Sequence, residues 1–157
     1  MRRVCVLAVG FALAALPAVA LASVASGTYT GTESQAQSGV PYKISLTVSG
    51  NKITRVVYGA NYTGHAPCPS DSGRWVVGAG IKGGKAIAIT GNTINARNAK
   101  IGPGDVFTYF KGTFTGTTVQ GSFDETFTAE TSSGGKVHSY KCTSGKVTFT
   151  ASSSPAS

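Results

Sequence analysis

Apolar residues fall at every second position through Ile44-Ser45-Leu46-Thr47-Val48, between Lys43 and the sequence Ser49-Gly50-Asn51. A period of two belongs to a strand with one oily face, and Gly50-Asn51 has the chemistry of a hairpin turn. The chain returns over 52–58 with bulkier residues on both faces. Segments 85–90 and 92–94 flank a second turn of the same kind, Gly91-Asn92; 110–114 and 119–123 are joined through 115–118; 146–150 is the last strand. Turn signals recur roughly every 8 to 12 residues, the spacing of a sandwich or an up-and-down barrel.

No segment after residue 26 combines a 3.6-residue period with caps and helix formers, whereas the Thr, Val, Ile and Tyr that dominate suit a pleated surface. The expected fold is all-β: an antiparallel β-sandwich or small up-and-down β-barrel of about eight to ten strands. In Gly112-x-Phe114 and Gly121-x-Phe123 a glycine shares a face with a ring two places on, which reads as a packing device that makes room for that ring.

The start of the chain follows another pattern. Met1-Arg2-Arg3 precedes an apolar run from Val4 to Leu16, then Pro17 and the small-residue sites Ala20-Leu21-Ala22 and Ser23-Val24-Ala25. This is an export signal, helical in its apolar part, with cleavage after Ala22 or after Ala25; the proline and the small residues count against an uncleaved anchor. The expected organisation is a signal peptide over 1–22, one domain over 23–151 and a frayed tail over 152–157. Membrane contact is expected through the signal segment alone. The product is expected outside the cell or in the envelope.

From Ser23 onward, Gly (20), Thr (19) and Ser (17) make up 56 of 135 positions, yet the alternating apolar residues between them argue against a low-complexity tract. The whole chain carries 14 Lys+Arg against 6 Asp+Glu; without Arg2 and Arg3 the balance is 12 to 6, or +6. The basic residues are scattered, never two together after the leader, which points to a solvated surface. Outside the cell the same surplus would favour an anionic polymer through a salt-sensitive field, without specific nucleic-acid recognition.

Two cysteines, Cys68 and Cys142, follow the signal. In an oxidising compartment they are expected to pair, enclosing roughly 75 residues and contributing on the order of 4 kcal/mol by chain entropy. The competing reading is a zinc site of His65, Cys68, His138 and Cys142. It suffers from spacing, since His138 and Cys142 on one strand face lie about 13 Å apart.

Resources for catalysis are thin, at two histidines and six acids, and no cofactor is expected. Ser70-Asp71-Ser72-Gly73 has a faint likeness to a protease nucleophile loop, but a polar turn explains it as well. Asp124-Glu125 are neighbours in a strand, so they point to opposite faces and cannot share a substrate. Binding is the better expectation. The candidate contact residues are aromatic: Tyr58, Tyr62 and Trp75 around the Cys68 loop, and Phe107 and Tyr109 in a segment, 106–110, with large apolar groups on both faces.

Gly27-Thr28-Tyr29-Thr30-Gly31, the Cys68 loop, Gly112-Thr113-Phe114-Thr115-Gly116, Val119-Gln120-Gly121-Ser122-Phe123 and the ending from Cys142 to Ala151 together resemble a group of small exported all-β bacterial proteins, frequent in actinobacteria, that carry no assigned activity. The resemblance implies fold and export, and no site residues. Gly27-x-Tyr29 is also loosely similar to the Gly-x-Trp start of lipocalin and avidin barrels, with tyrosine in place of tryptophan. The functional expectation is a secreted, disulfide-stapled, non-enzymatic binding or structural module that associates with cell-envelope or extracellular polymers. The alternatives are a calycin-like barrel holding a small hydrophobic ligand and, behind it, a small hydrolase.

Overall fold

The computed structural model describes residues 24–63, 68, 72–79, 82–100, 102 and 105–153, with backbone alone for 72–77. The signal segment therefore lies outside the described residues. Ten strands form one antiparallel sheet: β1 (Gly27–Gln37), β2 (Val40–Ser49), β3 (Lys52–Ala60), β4 (Ser72–Gly78), β5 (Ile87–Thr90), β6 (Thr93–Lys100), β7 (Val106–Thr115), β8 (Thr118–Ser133), β9 (Lys136–Thr143) and β10 (Val147–Ser153). Eight of them close a ring in the order β10-β1-β2-β3-β5-β6-β7-β8, with β8 pairing back onto β10. The fold is thus a barrel and not a sandwich, and closure leaves the ring without an exposed edge.

Two strands outlast their ring neighbours. β3 pairs Lys52 and Ile53 with β5 and then takes β4 along residues 55–60. β8 pairs residues 118–123 with β10 and residues 126–133 with β9, so the β8–β9 hairpin stands out beyond the ring. The last strand runs to Ser153, since Ser152 and Ser153 pair with Thr30 and Tyr29 of β1.

The hairpins at the two ends differ in turn chemistry. Gly50, Gly91 and Gly116 each take the first turn position with φ of 55°, 59° and 58°, as type II′ turns require. At the opposite end both turn residues are left-handed, Ser38-Gly39 at 50° and 81° and Gly134-Gly135 at 59° and 75°, the type I′ signature.

Alternate positions of every ring strand point inward, and the centre is largely aromatic. Tyr29, Tyr58, Phe107, Phe110 and Phe123 are fully buried. Phe110 and Phe123 stack with centroids 5.9 Å apart, and Tyr58 meets Phe107 at 5.5 Å and Phe123 at 5.2 Å. Each such ring contributes about 2 to 3 kcal/mol by leaving water. The glycine device operates across strands rather than along one: a Cβ on Gly121 would lie 2.5 Å from Cζ of Phe149 on β10, so Gly121 makes room for that ring and not for Phe123. The surplus of large residues over 106–110 is resolved by a bulge. Phe107 faces Glu125 while Tyr109 faces Asp124, so the extra residue Thr108 turns both Phe107 and Phe110 inward and leaves Tyr109 on the outer wall.

Candidate functional site

The scattered basic residues become a wall once the ring closes. β3, the connection 82–86, β5, β6 and β7 lie side by side and carry Lys52, Arg55, Lys82, Lys85, Arg97, Lys100 and Lys111, all exposed, with no acidic residue among them. The Lys85 amide donates to the Lys100 carbonyl at 3.1 Å, which fixes the connection against β6. Tyr109 lies within this wall. Arg97 is its cross-strand partner, and Lys111 Nζ sits 5.8 Å from its ring centroid. Burial and the nearby Asp124 carboxylate raise the Tyr109 phenol above its ordinary range.

Asp124 of β8 faces Tyr109 at the margin of this wall, and two other acids turn into the barrel. Glu125 of β8 points into the barrel and is 2% exposed. Its backbone is held at both ends by Ser144: the Glu125 amide donates to Ser144 Oγ at 2.9 Å, and the Ser144 amide donates to the Glu125 carbonyl at 2.9 Å. Tyr62 donates its hydroxyl to Glu125 Oε2. Tyr58, wholly buried, turns its hydroxyl to the same pair, and Glu125 and Tyr62 penalise its ionisation. Burial, reinforced by Asp105 and Asp124 and opposed by the two tyrosine hydroxyls, pushes Glu125 up to about 7. The same burial holds the Tyr62 and Tyr58 phenols far above their usual range.

A second inward carboxylate, Glu33 of β1, accepts the Gly59 amide at 3.3 Å next to Tyr58. Gln35, Tyr42 and Asn61 knit the same end: the Asn61 amide donates to Gln35 Oε1 at 2.7 Å, Gln35 Nε2 to the Ser144 carbonyl at 2.8 Å and the Tyr42 hydroxyl to Asn61 Oδ1 at 2.8 Å.

The staple sits over this end. Cys68 and Cys142 are bonded, with Cα atoms 5.6 Å apart. Cys142 is opposite Phe127 on β8, and the Phe127 ring meets Tyr62 edge-on at 4.8 Å. Thr63 and Thr143 exchange both backbone hydrogen bonds, at 2.9 and 3.2 Å. Oxidation of both sulfurs leaves neither thiolate for the zinc set weighed from the sequence. His138 is exposed on β9 opposite Thr131, and His65 lies outside the described residues.

The five aromatic candidates do not form one patch. Tyr58, Tyr62 and Phe107 are inside and Tyr109 is on the outer wall. Trp75 is placed by its backbone alone, opposite Tyr58. Ser72 opens β4 opposite Ala60 rather than standing in a turn. Asp124 and Glu125 do diverge: Asp124 accepts the Thr143 hydroxyl at 2.8 Å while Glu125 turns inward. The sequence reading weighed Glu125 only as half of a carboxylate pair. The signal that would have found it is the alternation Val119, Gly121, Phe123, Glu125, Phe127, which sets an acid on the oily face. Compared with known proteins, the chain matches no family model, no curated protein and no solved structure.

Proposed function

We propose that this chain is an exported, non-enzymatic barrel that associates with an anionic polymer of the cell envelope or its surroundings through its basic outer wall. The observation that carries this reading is charge segregation: seven exposed cations and no acid on the β3-to-β7 side, with Tyr109 set among them. Aligned cations on one curved face gain from releasing the counterions of a polyanion, and a half-buried ring adds area at small entropic cost. The leader-like start and the disulfide support export, since such bonds persist in oxidising compartments. The rings that fill the middle of the barrel favour recognition on the wall over a carrier's large cavity.

Retention on immobilised polyphosphate, read against sodium chloride, tests this. The oxidised protein is expected to elute late. Arg97→Glu with Lys111→Glu should elute markedly earlier, and Lys136→Glu with Lys146→Glu, which changes net charge equally at exposed positions off the wall, should elute near the parent. Equal shifts from both variants would reduce the wall to net charge and contradict the proposal.

A further inference from the structure

The side of the ring away from the basic wall has a chemistry of its own, set by strand register. Thr30 of β1 is flanked by Ser45 on β2 and Ser152 on β10, and the row continues through Thr118 on β8 to Thr115 on β7. The next row runs Lys43, Thr32, Thr150, Gln120, Thr113 over the same five strands. All ten are exposed or half-exposed, and eight end in a hydroxyl, one in an amide and one in a charge. Thr118 and Ser152 meet at 3.2 Å, while no described residue takes up the hydroxyls of Thr30, Thr32, Thr113, Thr115 and Thr150 or the Gln120 amide. Two rows of polar groups alone would be a solvated face. The second observation is their relief. Three shallow grooves of about 520, 410 and 510 Å³ lie along the rows: one between β2 and β1, one over β1, β10 and β8, and one between β8 and β7. The first two adjoin at Thr32 and the last two at Gln120, so together they make one trough across five strands. Glu33 and Phe149 also border the middle groove, but both are buried and turn their side chains inward.

We infer that this trough binds an uncharged glycan chain laid across the strands. Each hydroxyl or amide along it both donates and accepts, and so does every sugar hydroxyl. Lys43 is the sole charge in the two rows, so an uncharged chain matches the trough and a polyanion gains more on the basic wall. The spacing agrees as well. Neighbouring strands stand about 4.8 Å apart, close to the length of one pyranose unit in a β-linked chain, so each successive sugar meets the side chains of a new strand. The floor bends with the ring, which favours a linkage that curves, as in a β-1,3-linked glucan, over the straight ribbon of a β-1,4-linked one. No exposed ring borders the trough to stack on sugar faces, so hydrogen bonds carry the recognition. This face is separate from the one assigned to the anionic polymer, and the two assignments stand or fall separately.

Amide chemical shifts of the full oxidised chain, followed during titration with laminarihexaose, test the inference. Saturable shifts are expected at Thr32, Thr150, Gln120 and their row neighbours, with the same affinity at about 0.05 and about 0.5 M sodium chloride, because no ion pair forms. Thr32→Val with Thr150→Val keeps the shape and strand preference of both side chains and removes two hydroxyls, and it should weaken binding about fivefold or more. Thr32→Ser with Thr150→Ser, which keeps the hydroxyls, should bind within about twofold of the parent. Arg97→Glu should leave glycan affinity unchanged while lowering retention on polyphosphate, which separates failure of one face from failure of the other. Absence of saturable shifts, shifts centred away from the trough, affinity that falls with salt or in Arg97→Glu, unchanged affinity in the valine variant, equal losses in the valine and serine variants, or tighter binding of an oligogalacturonate of equal length would each overturn the inference.

Discussion

Glu125 ties the interior of this barrel to pH. Its folded-state affinity for a proton is raised from the ordinary 4.5 to about 7, first by burial, so between those values the folded chain binds more protons than the unfolded one. Stability is therefore full below about pH 4.5 and falls as pH rises through 7, by about 3 kcal/mol in total. Urea denaturation at pH 5 and pH 8 should show that loss in the parent, and Glu125→Gln should show little of it. Gly121 makes a second residue-scale prediction. A methyl there would lie 2.3 Å from the Lys111 carbonyl and 2.5 Å from the Phe149 ring, so Gly121→Ala should cost about 1 to 3 kcal/mol, read from the same unfolding curves. The spacing of Gly121 and Phe123 was legible along the chain, but the ring that occupies the space was not, because Phe149 reaches it only through the β8–β10 register.

At the scale of elements, the sequence disclosed what is local. The hairpins at Gly50-Asn51 and Gly91-Asn92 and the connection at Gly116-Thr117 stand where alternation and turn residues put them. β4 and the division of β8 between β9 and β10 were not legible, because which strand a neighbour's upper half accepts is settled by ring closure and not by the pattern within it. The bulge at Thr108 was foreshadowed only as an excess of large residues over 106–110. The staple was legible because exactness of spacing hardly matters to two lone cysteines in an oxidising compartment. It closes 74 residues of sequence and anchors the segment after Tyr62 to β9, so Cys68→Ala with Cys142→Ala should lower unfolding free energy by about 4 kcal/mol. Unfolding of the parent with and without reductant should show the same gap.

Across the described residues seven exposed cations line the outer wall from β3 to β7, whose strands carry no acid, while Glu33 and Glu125 turn into the barrel. No run along the chain announces this, since the seven wall cations are drawn from residues 52 to 111 and meet only because their strands are ring neighbours. Fold class and cross-link could be read from composition and period; the wall and the Glu125 cluster needed the topology.

The most direct test is the salt dependence of binding to polyphosphate, measured for the oxidised protein and for Arg97→Glu with Lys111→Glu. The logarithm of affinity should fall linearly with the logarithm of salt concentration, and the variant should show both weaker binding and a shallower slope. A slope indistinguishable between the two, or affinity that ignores salt, would contradict recognition through the basic wall.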